Sequence, residues 1–190
     1  MTLPQLRCRT EFSFRQAFGP VSRVAEAVKA LGVPAAGMVD GGTWGHVRWA
    51  KAAQGFKPLF GTEFAVALPG GRKPIAWVLA EDTKAFYRFS TALRQSEADP
   101  LQLLRASPGV IRFAGDALVD PETFDYIDLN PISPIAQRTA LALHRRTGKP
   151  LVITSANYHP RREDYAAFMA IGGREAMTPQ HILSESELRA

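Results

Sequence analysis

Four short stretches carry side chains that could do chemistry: Leu6-Arg7-Cys8-Arg9-Thr10-Glu11-Phe12-Ser13, Met38-Val39-Asp40-Gly41-Gly42, Gly61-Thr62-Glu63-Phe64 and Thr154-Ser155-Ala156-Asn157-Tyr158-His159. Asp40 follows one predicted strand and Glu63 lies on another. Carboxylates so placed, with neutral imidazoles, hold divalent cations in hydrolases. Arg7 and Arg9 bring the opposite chemistry, because a guanidinium has no lone pair to give and repels a cation. Two carboxylates in a cleft without a metal need other partners to offset desolvation. The expectation is an Arg–carboxylate network, with Arg7 and Arg9 on Asp40 and Glu63 and a guanidinium standing in for the cation.

The remaining reactive side chains are few. Of the histidines, His144 and His46 are expected at the surface, with His46 facing the same cleft as the alternative. His159 beside Tyr158 could complete a thin three-residue metal site with Asp40 and Glu63. Cys8 stands alone, so no internal disulfide or thiolate cluster is available, and a buried structural thiol is expected. Trp44, just past the Asp40-Gly41-Gly42 loop, is expected to pack, with stacking on a base of a single strand as the alternative.

These groups must be positioned by alternating strands and helices. A strand over Gln5 to Arg9 precedes a helix with an apolar face of Val21, Val24, Ala25, Val28 and Leu31, opened by Pro20 and closed by Gly32. Pro34 to Val39 reads as a buried strand, and Trp44 to Gln54 as a helix. Pro58 to Leu68 and Pro74 to Ala80 read as antiparallel neighbours joined at Pro69-Gly70-Gly71. Asp82 caps a helix carrying Phe86, Phe89 and Leu93, and Asp99-Pro100 opens another through Leu101 and Leu104. Strands follow at Gly109 to Phe113, Tyr126 to Leu129 and Pro150 to Thr154. Between the last two, a helix runs from Ser133-Pro134 to Gly148. A helix over Glu163 to Ile171 and a capping box at Ser184-x-x-Glu187 finish the pattern.

The order of motifs resembles the PHP (polymerase and histidinol phosphatase) domain, and most closely that of bacterial replicative DNA polymerase III alpha subunits. There the first strand carries H-x-H before S-E-Y-S, the second ends T-D-H-G and the third carries G-x-E. Trp77-Val78-Leu79-Ala80, Gly109-Val110-Ile111-Arg112-Phe113-Ala114-Gly115 and Pro150-Leu151-Val152-Ile153-Thr154 are similar to further family strands. The resemblance implies a distorted seven-stranded (β/α)7 TIM-like barrel with its site at the carboxyl ends of the strands. It also implies that the metal ligands have been replaced: H-x-H by Arg7 and Arg9, the next His by Gly41, a later one by Ile75, the Cys of a loop by Asp116, and D-x-H by Ala156 and Tyr158. The former metal site would then be a cleft of Arg7, Arg9, Asp40, Glu63, Asp116, Tyr158 and His159, with no catalytic residue, metal or cofactor.

At 190 residues and 46% apolar content the chain is expected to form one domain over residues 1–190. No apolar run is long enough to span a bilayer, and a cytoplasmic protein is expected. The net charge of +5 suits a polyanionic partner. Arg145, Arg146, Lys149, Arg161 and Arg162, at predicted element ends, are the candidates for nucleic-acid contact. The expected role is a non-catalytic, metal-deficient domain associated with DNA replication, acting as a scaffold or as a module that contacts DNA or a replicative polymerase. The alternative is a metal-dependent phosphoesterase or 3′-5′ exonuclease with an atypical site.

Overall fold

A computed structural model describes residues 3–14, 16–67, 71, 73–96, 99–115, 121–130, 133–173 and 180–189. Five strands form one mixed sheet in sequence order: β1 (Gln5–Cys8), β2 (Ala35–Met38), β3 (Lys57–Ala65), β4 (Ile75–Ala80) and β5 (Val110–Phe113). The β1–β2 and β2–β3 pairs are parallel, and β3–β4 and β4–β5 are antiparallel. A second, parallel pair joins β6 (Ile127–Leu129) to β7 (Leu151–Ile153). Among the described residues the two sheets meet at a parallel bridge between Phe113 and Tyr126, with the Tyr126 and Asp125 amides donating to Arg112 O beside it.

The helices follow from local signals. Helix α1 (Val21–Ala30) buries Val21, Val24 and Val28, and with α2 (His46–Ala52) covers a cluster containing Ala36, Met38, Trp49 and Phe56. Helices α3 (Thr83–Gln95) and α4 (Pro100–Ala106) are capped by Asp82 and Asp99, whose carboxylates accept from the amides of Ala85 and Leu101. They cover Phe64, Val66, Ala76 and Val78 with Phe89 and Leu104. Helix α5 (Pro134–Thr147) starts at the Ser133 cap and stops at Gly148, which takes a left-handed φ of 71°. Residues Arg162–Asp164 form a 3-10 turn leading into α6 (Tyr165–Ala170). The terminal α7 (Glu185–Arg189) carries the expected capping box: Ser184 N donates to Glu187 Oε2 at 2.9 Å, and Glu187 N donates to Ser184 Oγ at 3.3 Å.

Strand β4 is buried on both faces, which accounts for its unbroken apolar sequence. Ala76 and Val78 meet α3 and α4, while Trp77 and Leu79 point the other way, to Val39 and Phe113. Trp77 and Phe113 stack with centroids 3.8 Å apart. The sheet curls around this inner face so far that Arg7 on β1 lies 3.7 Å from Asp128 on β6.

The expected seven-stranded barrel is not what forms. Among the described residues no ladder joins β7 to β1, and β4 runs antiparallel to both β3 and β5, where a barrel of βα units would have parallel neighbours. Strands β6 and β7 are three residues each, too short to complete a ring of ladders. A side chain spans the gap instead: Asn157, just past β7, donates from Nδ2 to Arg9 O at 3.0 Å and accepts at Oδ1 from Arg9 N at 2.8 Å. No described helix is long and apolar enough to cross a membrane.

Candidate functional site

The inner face gathers ionisable groups from four strands. Arg9 and Glu63 are 4% and 5% exposed. Arg9 donates from Nε at 3.0 Å and from Nη2 at 2.8 Å to the same oxygen, Glu63 Oε2. Burial alone would favour losing the Arg9 proton; the charge and hydrogen bonds of Glu63, together with Tyr158, outweigh it, and the group stays charged. The guanidinium also lies 5.1 Å from the centre of the Tyr158 ring. Arg7 Nη2 approaches the same carboxylate oxygen at 3.6 Å. Its guanidinium carbon stands 5.7 Å from the Trp77 ring centre.

Asp128 is the member that sequence reasoning missed. It is buried on β6, where Oδ2 accepts from Trp77 Nε1 at 2.6 Å and Thr154 Oγ1 at 3.1 Å. Burial pushes its carboxyl above the ordinary range, and Arg7 pulls in the opposite direction. The signal was one charged residue inside the apolar strand Ile127-Asp128-Leu129.

Asp40 departs from the expected network. Among the described residues no arginine pairs with it. The carboxylate is held by Thr10 N (2.7 Å), Thr10 Oγ1 (2.5 Å) and Ser13 Oγ (2.7 Å), all from the loop after β1. Hydroxyls and an amide can satisfy a buried carboxylate without a counter-charge, but here desolvation prevails and the carboxyl is raised above its usual value.

The other sequence candidates divide. Tyr158 belongs to the Arg9 cluster, but His159 packs away from it: Nδ1 meets Arg161 O at 2.7 Å, and the ring stands against Tyr165, Phe168 and His181. Asp116 lies outside the described residues. His46 is buried, not at the surface; it stacks on Phe86 at 4.3 Å and meets Gly61 O at 2.9 Å through Nε2. Its share of a helical buried face with Trp49, three residues on, was the available clue. Arg161 lies 3.9 Å from both Glu26 and Glu163, and Arg162 3.0 Å from Glu187, so these two face carboxylates of their own chain. Arg145 and Arg146 are exposed at the end of α5, with Lys149 partly buried beyond it.

Above the charged cluster opens a cleft of about 490 Å³ lined by Phe12, Phe14, Gly41, Gly42, Trp44 and Glu63, among others. Ile75 lies on its wall. Trp44 is not packed in the core, being 72% exposed, and Phe14 is 84% exposed. The space at Gly41 is open: a Cβ there would meet nothing within 4 Å.

No protein-family model matches the sequence, and no curated protein matches it. The fold has solved counterparts. A candidate metal-dependent phosphoesterase from Bifidobacterium adolescentis aligns with a TM-score of 0.58 at 13% identity, over 98% of this chain and 94% of that one. PsfC from Pseudomonas syringae aligns with a TM-score of 0.56 at 14% identity, over 80% of this chain and 74% of that one. At these identities the likeness is one of fold.

Such a fold raises the question of a metal, and the residues present do not fit one. Among the described residues no group of three or more His, Cys, Asp or Glu side chains converges as a donor set. Of the three carboxylates, Glu63 is held by Arg9 and Arg7, Asp128 by Trp77, Thr154 and Arg7, and Asp40 by Thr10 and Ser13. A cation entering beside Glu63 would meet Arg7 and Arg9 at contact range.

Proposed function

We propose that this chain is a non-hydrolytic binding module on a phosphoesterase-like fold, serving DNA replication as a scaffold or as a piece that contacts DNA or a polymerase. The observation that carries the non-hydrolytic part is the Arg9–Glu63 pair, a buried guanidinium donating two hydrogen bonds to the carboxylate a metal would need. The charge the site requires is supplied by the chain itself, and it comes without an open coordination position or a bound water to activate. The replication context rests on the motif resemblance and on the basic balance of +5.

A metal-dependent phosphoesterase or exonuclease is the second reading, supported by the shared fold with the Bifidobacterium protein. One experiment separates the two. Purified protein is incubated with manganese or zinc, its bound metal is measured by mass spectrometry, and hydrolysis of bis-p-nitrophenyl phosphate and of an end-labelled oligonucleotide is followed. The expected result is no stoichiometric metal and no turnover. Turnover that falls on Glu63→Gln or Asp40→Asn would overturn the proposal in favour of the second reading.

A further inference from the structure

The exposed tryptophan is the feature the preceding reading leaves unused. A 72% exposed indole is costly to leave in water, and such residues are concentrated where something binds. Trp44 is also held in place. The Arg94 guanidinium carbon lies 5.6 Å from the ring centre. The backbone of Gly42 runs so close that a Cβ there would stand 3.0 Å from Trp44 Cδ1 and 3.0 Å from Arg94 Nη2. One side of the indole is thus backed by Arg94 and Gly42, while most of its surface stays in solvent at the cleft mouth. Phe14 stands on the same cleft, and Phe12 carries the Arg48 guanidinium carbon 5.5 Å from its ring centre.

Two of the polar groups of the cleft, Ser13 and Glu63, are already committed, and Gln16 is the third polar side chain of its lining. Ser13 Oγ donates to Asp40, and Glu63 is held by Arg9. What the cleft offers a ligand is therefore mostly flat apolar surface, with the Arg94 guanidinium at its rim beside Trp44. Among the described residues no carboxylate pairs with Arg94, whose charge remains available for a phosphate beside the stacked ring. Aromatic platforms interleaved with arginines bind single-stranded nucleic acid with tolerance of sequence, because every base presents a π-face.

We propose that this cleft binds single-stranded nucleic acid, with Trp44 and Phe14 as stacking platforms and Arg94 as the phosphate contact. The proposal rests on the non-hydrolytic reading in that the strand is held and not cut.

The three tryptophans make the test direct. Trp49 and Trp77 are fully buried, so an ionic or collisional quencher reaches only Trp44. A dye-labelled ten-residue oligothymidylate is titrated into the full chain, with a DNA duplex, an RNA strand of the same length and an acidic peptide as parallel arms. The expected outcome is quenching of the exposed tryptophan emission by the single strands, weakening as salt rises. Trp44→Ala should lower affinity about 5- to 100-fold, the range set by loss of one base–aromatic stack, and Trp44→Phe should retain affinity within a few fold. Gly42→Val, which pushes the indole off its seat, should weaken binding while leaving the circular dichroism unchanged. Equal binding by Trp44→Ala, equal binding of duplex, binding of the peptide alone, or no binding by the folded wild type would each overturn the proposal. Gel analysis of the same samples keeps the two readings apart: cleavage of a bound strand overturns the non-hydrolytic reading, and absence of binding overturns only this one.

Discussion

Replacing Glu63 by Leu should cost more than replacing Arg9 by Met, and replacing both should cost less than the two singles together. With both partners at most 5% exposed, removal of one leaves a buried charge without its counterpart, a loss of about 3–5 kcal/mol. The two singles are not equivalent. Without Arg9, Glu63 keeps Arg7 at 3.6 Å, which places Arg9→Met near the lower end of that range. Without Glu63, among the described residues Arg9 retains the Tyr158 ring and no carboxylate, and Arg7 retains Asp128 at 3.7 Å and the Trp77 ring, so Glu63→Leu belongs at the upper end. The double variant removes the charge and its unmet partner together. It should recover about 2–3 kcal/mol relative to the sum of the singles, the coupling expected of a contacting pair. Urea denaturation followed by circular dichroism gives all four corners of the cycle. Repetition in 1 M salt checks burial, since a screened surface pair would lose its coupling there. A Glu63→Leu cost below about 1 kcal/mol, or coupling that vanishes in salt, would refute the assignment of this pair as an internal substitute for a cation.

Three further outcomes follow from the same geometry. Burial, reinforced by nearby Asp40, pushes the Cys8 thiol up to about 12, so native protein at pH 8 should resist a thiol reagent and label fully in urea; prompt native labelling would contradict the placement. Asp40 has a folded carboxyl value above 3.8, so the folded chain keeps its proton over an interval in which the unfolded chain has lost it. Its contribution to stability therefore falls as pH rises through that interval and is level above it. Asp40→Asn should abolish that part of the slope in urea midpoints taken across the acidic range, and an unchanged slope would refute the assignment. Asn157→Ala leaves the buried amide and carbonyl of Arg9 unpaired, and should cost about 2–4 kcal/mol by denaturation.

Local chemistry was legible in the sequence wherever one residue decides a local outcome. The caps at Asp82, Asp99 and Ser133, the stop at Gly148 and the reciprocal Ser184–Glu187 box lie where side-chain type alone places them. The β3–β4 pair is antiparallel, as the Pro69-Gly70-Gly71 turn signal implied. Ring closure was not legible, because it depends on which edges meet and how long the last strands are, and hydrophobic period encodes neither. At the site, Arg7, Arg9 and Glu63 were readable as charges needing one another. The capture of Asp40 by Thr10 and Ser13 was not, since hydroxyls this common announce no partner. Trp44 and His46 reversed their expected places: the indole seats on Gly42 and Arg94 outside the core, and the imidazole turns inward onto Phe86.

The seam at Asn157 has a consequence for how the molecule breathes. A carboxamide presents one donor and one acceptor, the same pair a strand residue offers, so it seals segments 148 positions apart with a single side chain. Strands β6 and β7 with α5 own a small cluster of Ile127, Ala140 and Leu143, and among the described residues they meet the large sheet through the Phe113–Tyr126 bridge with its flanking backbone bonds, the Asp128 contacts to Trp77 and Arg7, and Val152. Such a unit can swing open as a cooperative piece while the five-stranded sheet stays formed. The Arg9 amide would then exchange its hydrogen with the β6–β7 unit and not with its own strand. Each opening would bring water to the Arg9–Glu63 pair by way of the seam, making this hinge a slow entrance to a buried ion pair.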